Sequence, residues 1–222
     1  MRVIRSVPKL LVVAVVAYAM ARMWHWKLGL TYFTQLSNLF CAGAMLLQLW
    51  AESRPGQAPR VARDVKFAAT TSIVATGVVY LTVLAPLEPQ GMLAAYAQDG
   101  WASLCLHGIV PALMVADFVA YDAREPFAAR NVRLALVPPA LYLAFVLVLG
   151  AAGVRWGGGT MMGPYPFLNY ASPVGWFGLD PQAASATTPG LGVAWSCALM
   201  LLFLMAIGWA LVGVSRRRGR DA

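Results

Sequence analysis

The chain has 222 residues, of which 60% are hydrophobic and only 12% charged, with a formal net charge of +8. A soluble domain carries about 25% charged residues, so half that fraction cannot cover the surface of a water-soluble globule this size. The composition excludes an ordinary soluble enzyme and a disordered chain, and points to a polytopic membrane protein.

The spacing of the charges gives the organisation. No Asp, Glu, Lys or Arg occurs in 28–51, 67–87, 100–116, 134–154, 156–179 or 181–215. A membrane-spanning helix needs roughly 20 mostly apolar residues. In chain order the predicted spans are about 8–24, 31–50, 65–86, 102–121, 133–152 and 190–213. The first is shorter in apolar length, and Lys9 and Arg22 can snorkel from its ends. The charge-free run 156–179 is not a span, because Gly157–Gly159 and three prolines break any helical period. It belongs to an outer loop over 154–189, with Trp156, Tyr165, Tyr170 and Trp176 suited to the headgroup level. The expectation is one all-α domain of six transmembrane helices.

Lys and Arg placement orients it. With the N-terminus inside, the inner segments hold Arg2, Arg5, Lys9, Arg54, Arg60, Arg63, Lys66, Arg124, Arg130, Arg133, Arg216, Arg217, Arg218 and Arg220. Only Arg22, Lys27 and Arg155 of the 17 basic residues remain outside. Both termini are therefore expected in the cytoplasm, and the terminal Ser215–Arg220 run reads as a topology anchor rather than a nucleic-acid patch. Arg2, Arg5 and the following apolar stretch have the outline of a signal peptide; the preferred reading is a retained first span. Cys41, Cys105 and Cys197 fall inside apolar spans without a CxxC spacing, so packing is expected rather than disulfides or zinc. Two histidines, His25 and His107, are too few for a multi-histidine metal site. They could be axial ligands of a haem, a rival reading, but no cofactor is required.

Polar residues inside the spans carry the remaining information. Thr34, Ser37, Asn38 and Cys41 lie at i, i+3, i+4 and i+7 and share one helix face. Span four contains His107, with Pro111 four residues on, which frees the His107 carbonyl and can kink the helix. Counting from the outer ends puts Thr34 and His107 at similar depth, roughly 5–8 Å in. Span three brings Thr76, Tyr80 and Thr82 toward the same level. An imidazole beside a threonine can take its proton and make it a nucleophile, and an oxyanion would need donors such as the Asn38 amide, the Tyr80 hydroxyl or a loop N–H. The alternative stands beside it: Thr and Ser in membrane helices commonly bond the carbonyl four residues back or a neighbouring helix. Asp117, near the inner boundary, reads as a partner for Arg63 or Lys66. His25, in the run Trp24–Lys27, reads as an interface residue beside aromatic anchors.

At these residues the sequence resembles the androgen-induced and androgen-dependent membrane hydrolases and their bacterial relatives. The matching pieces are YFTQLSN around Thr34, LHGIVPALMVAD around His107 and YPFLNY in the last outer loop, in the family's order. The resemblance implies an integral membrane threonine hydrolase acting on fatty acid esters of hydroxy fatty acids. Thr34 takes the nucleophile position and His107 that of the essential histidine. The family's polar residue three positions after the threonine corresponds to Ser37, with Asn38 one further.

The expectation is an intramembrane lipid-ester hydrolase in a bacterial inner membrane. Thr34 and His107 are catalytic, and Ser37, Asn38, Tyr80, Tyr165 and Asn169 are the candidate substrate contacts. The 156–179 loop is a candidate lid. The partners are membrane lipids and a lipid ester entering from the bilayer. A small carrier or channel, or a non-catalytic scaffold, are the alternatives.

Overall fold

The structure, a computed structural model, describes residues 2–25, 27–54, 59–123, 126–183 and 190–219. Trp26, an expected aromatic anchor, Arg124 and Arg220, expected inner cations, and residues 184–189 of the expected outer loop lie outside the described residues. The described chain is helical, with isolated two-residue bridges in place of any β-strand.

Helix α1 spans Arg2–Arg22 and α2 spans Phe33–Ser53. Helix α3 (Pro59–Val79) runs into a π-helical turn, Tyr80–Leu84. Helix α4 (Met92–Leu104) is broken at Gln98–Trp101 and continues through a second π-helical turn, Cys105–Ile109, into α5 (Val110–Asp117). A third π turn, Phe118–Asp122, closes that rod. Helices α6 (Ala129–Ala135), α7 (Val137–Ala151) and α8 (Val193–Arg218) follow. Each predicted span overlaps a long helical segment; most ends differ by up to about six residues, but the fourth begins at Met92, ten residues before the expected start at 102. Among the described residues, four helical stretches are long and apolar enough to cross a membrane: Arg60–Leu84, Met92–Asp122, Ala129–Ala151 and Val193–Arg218. Helix α2 is less apolar because Thr34, Gln35, Ser37, Asn38 and Gln48 lie on its buried face.

Two π turns have the same sequence cause. Pro86 and Pro111 each lack the N–H that the carbonyl four residues back would accept, and each ring crowds that carbonyl. Those carbonyls belong to Thr82 and His107, the middle residues of the two turns. The ladder widens there, so that the N–H of Val110 reaches the Cys105 carbonyl five residues back.

The chain divides into two compact units, Met1–Pro138 with Leu204–Ala222, and Pro139–Phe203. In the first, α3 is central. Residues 66–73 are buried without interruption, and its small residues, among them Ala69, Thr70, Thr71 and Ser72, admit close neighbours. One core joins Val12 and Val16 of α1, Cys41 and Met45 of α2, Ile73 of α3 and Met114 of α5. Another is aromatic: Phe67 stacks on Phe127 at 4.8 Å and meets Phe118 edge-on at 6.1 Å.

In the second unit Val146, Leu168 and Val193 form the core. Gly150 is required there, since a Cβ would fall 2.2 Å from the Met162 carbonyl oxygen. Among its described residues the loop is largely non-helical, as its glycines and prolines predict. Trp156 differs from expectation. It is buried, at 2% exposure, because its backbone pairs with Met161 and folds the Gly157–Gly159 turn beside it.

Lys9 also departs from its predicted role. It does not snorkel but is buried at 1% exposure. Its ammonium donates to the Arg5 carbonyl at 2.8 Å and lies 3.2 Å from Glu52 and 3.7 Å from Asp117. Lys66 pairs with both Asp117 and Asp122. Asp117 thus has the Lys66 partner expected for it, and Lys9 besides. The reason is spatial: α1, α2, α3 and the Asp122 turn bring their charged ends to one level, where the buried ions Lys9, Lys66 and Asp117 find counter-ions instead of water.

Candidate active site

The far end of the same bundle from the ion cluster holds the polar groups of α2. Thr34 lies in the first turn of this helix, and Thr34, Ser37, Asn38 and Cys41 are all buried, as a shared face requires. About 18 residues of helix, some 27 Å, separate Thr34 from Glu52.

Thr34 Oγ1 lies 3.2 Å from His107 Nε2. On the other side of the ring, Nδ1 is 2.9 Å from the Ser103 carbonyl oxygen and 3.3 Å from the Ser103 hydroxyl. A carbonyl only accepts, so it calls for a proton on Nδ1. Nε2 is then the bare nitrogen and accepts from the Thr34 hydroxyl. A backbone carbonyl therefore occupies the place that a carboxylate takes in a Ser–His–Asp arrangement. The Tyr80 ring stacks on the imidazole, with centroids 3.5 Å apart and planes 10° from parallel.

Close backbone approach positions these groups. A Cβ on Gly77 would sit 3.0 Å from the His107 carbonyl oxygen and 3.1 Å from Pro111 Cγ. Glycine thus lets α3 reach the widened turn that Pro111 creates. Asn38 ties α2 to the same turn, donating to the Thr34 carbonyl at 2.8 Å and the Leu106 carbonyl at 3.2 Å. Ser37 donates to the Thr34 carbonyl and meets Thr76 Oγ1 at 3.0 Å.

Several expected roles change. The Asn38 amide is not an oxyanion donor: both its N–H bonds go to backbone carbonyls, leaving Oδ1 as a buried acceptor without a partner. The Tyr80 hydroxyl is also engaged, donating to the Ala95 carbonyl at 2.8 Å and bonding Ser103 Oγ at 2.8 Å. Ser37 cross-links helices. Thr82 is exposed and bonds the Val78 carbonyl.

Tyr165 and Asn169 belong to the second unit. There Tyr165 stacks on Phe167 at 5.1 Å, and Asn169 Oδ1 accepts the N–H groups of Met162 and Ala171. Exposed His25 is 3.6 Å from Asp99.

Two residues escaped the sequence reading. Ser103 sits four residues before His107, a spacing that could have drawn notice. Gln35, beside Thr34, is buried with Oε1 unpartnered. Among the described residues no group of three His, Cys, Asp or Glu could hold a metal.

An all-helical bundle with a buried threonine–histidine pair is what the fold and site define. No family model, curated protein or solved structure matches the chain.

Proposed function

We propose that this chain is an integral membrane protein of six spans with both termini in the cytoplasm, and that it hydrolyses lipid esters with Thr34 as nucleophile and His107 as base. The observation that carries the reading is the Thr34 Oγ1–His107 Nε2 contact at 3.2 Å, with Nδ1 held by the Ser103 carbonyl. The resemblance of YFTQLSN, LHGIVPALMVAD and YPFLNY to the androgen-induced and androgen-dependent membrane hydrolases supports it. The distribution of basic residues supports the orientation.

In this reading a lipid enters from the bilayer with its ester near the outer boundary. Nε2 takes the Thr34 proton as Oγ1 attacks the carbonyl carbon. First-turn amides of a helix have no intrahelical carbonyl partner, so the N–H groups of Thr34 and Gln35 are the proposed oxyanion donors, aided by the positive end of the α2 dipole. The imidazolium returns its proton to the leaving alkoxide, which departs as an alcohol. Water, deprotonated by the same nitrogen, then attacks the acyl-threonine; the acyl–Oγ1 bond breaks, Nε2 returns the proton to Thr34 Oγ1, and a fatty acid is released. The unpartnered oxygens of Gln35 and Asn38 suit the hydrogens of that water or of a hydroxylated leaving group.

The test is fluorophosphonate labelling of isolated membranes. Wild type and Ser37→Ala are expected to label, and Thr34→Ala and His107→Ala to lose labelling. A folded wild type that neither labels nor turns over any short-chain or long-chain ester would overturn the hydrolase reading. A reporter placing residue 90 in the cytoplasm would overturn the orientation.

A further inference from the structure

The Ser103 hydroxyl poses a problem for the base. It lies 3.3 Å from His107 Nδ1, and a hydroxyl can donate as well as accept. If it donated, it would favour the proton on Nε2 and remove the acceptor that faces Thr34. The intrinsic preference of a histidine imidazole for a proton on Nε2 pushes the same way.

The surroundings close off that alternative. A helical serine ordinarily donates to the carbonyl four residues back. Here that residue is Asp99, which sits at φ 51° in the elbow where α4 breaks, and its carbonyl accepts from Arg22 at 3.3 Å. The remaining neighbour of Ser103 Oγ is the Tyr80 hydroxyl at 2.8 Å. Tyr80 Oη also lies 2.8 Å from the Ala95 carbonyl, which can only accept. Its single proton therefore goes to Ala95. The Ser103 proton must then go to Tyr80, and Ser103 Oγ turns a lone pair toward Nδ1. Every hydrogen in the chain from the Ala95 carbonyl through Tyr80, Ser103 and His107 to Thr34 has one direction.

We propose that Tyr80, anchored on the Ala95 carbonyl, is a positioning residue that turns the Ser103 hydroxyl and so keeps the proton of neutral His107 on Nδ1. The device sets the tautomer whatever the substrate; its effect on turnover rests on the hydrolase reading above.

The test uses the full chain with isotope-labelled histidine in a His25→Gln background, so that His107 is the only histidine observed. Nitrogen chemical shifts distinguish the two tautomers directly. Wild type is expected to carry the proton on Nδ1. Tyr80→Phe keeps the ring stack and removes the anchor. It is expected to shift the population toward Nε2–H and to cut fluorophosphonate labelling about tenfold, the scale of one hydrogen bond. Ser103→Ala removes the competing donor while the Ser103 carbonyl remains. It is expected to keep the Nδ1 proton and most of the labelling. The double variant is expected to behave like Ser103→Ala, which a merely structural role for Tyr80 would not produce. An Nε2–H tautomer in wild type, an unchanged tautomer in Tyr80→Phe, or a double variant no better than Tyr80→Phe would each overturn the proposal. Even if Tyr80→Phe does not fold, an Nε2–H proton in wild type overturns the proposal. An Nδ1–H tautomer shifted by Tyr80→Phe in a protein without esterase activity would keep the device and sink the hydrolase reading.

Discussion

Lys66→Met removes one ammonium from the buried ion cluster while keeping most of the side-chain volume. In the folded protein it leaves Asp122 without its lysine and Asp117 with only Lys9, 3.7 Å away and already shared with Glu52. Asp117 is fully buried and cannot recover water. Removing one partner of a buried pair costs about 3–5 kcal/mol, equivalent to roughly two to three and a half orders of magnitude in the folding equilibrium. Asp117→Leu is expected to cost less, because Lys66 keeps Asp122 and Lys9 keeps Glu52. Combining the two removes opposite charges together, so about 1–3 kcal/mol of coupling is expected. The assay is equilibrium unfolding in mixed micelles, read by exposure of the Cys41 thiol in a Cys105→Ala/Cys197→Ala background. Cys41 is fully buried when the bundle is intact. Additive effects in the cycle, or a Lys66→Met variant within about 1 kcal/mol of wild type, would refute the argument that the cluster is held by mutual neutralisation.

Gly77→Ala places a methyl 3.0 Å from a backbone oxygen that cannot rotate away. It should lower probe labelling by about tenfold or more through displacement of the His107 turn, and unchanged labelling would show that the contact is slack. Asn38→Leu deletes the amide donors to Thr34 and Leu106 and is expected to destabilise by about 1–3 kcal/mol. Asn38→Asp should be worse, since carboxylate oxygens would then face carbonyls; micelle unfolding checks both. Thr34→Ser keeps the hydroxyl and should retain measurable labelling, whereas Thr34→Val should abolish it. Equal loss in the two would argue that the methyl group, not the hydroxyl, is what matters at this position.

How much of the protein was legible depended on the range of the interaction. The charge-free runs located the long helices because a helix excludes charges from its apolar length locally, within one segment. The i, i+3, i+4, i+7 spacing placed Thr34, Ser37, Asn38 and Cys41 on one face, and all four are buried. Pro111 announced a disturbance at His107, and a π turn is centred there. Similar depth for Thr34 and His107 followed from counting residues along two helices starting at the same end.

Rotation of one helix against another leaves no trace in a local pattern. Only packing turned the Asn38 amide toward the Leu106 carbonyl, brought Tyr80 over the imidazole and put the Tyr80 hydroxyl against Ser103. The same holds for Lys9: beside Arg5 it reads as a snorkelling end group, yet residues 43 and 108 positions away in the chain supply its counter-ions. The short segment of α4 before its elbow is not legible in the sequence, because the break depends on positive φ at Asp99, Gly100 and Trp101, two of them residues with no intrinsic preference strong enough to predict it. Residue order alone shows which residues are polar within apolar helices and how far along each they sit. Which of them touch is settled by packing, because hydrogen bonds and ion pairs between residues far apart in the chain are selected by the close approach of whole helices.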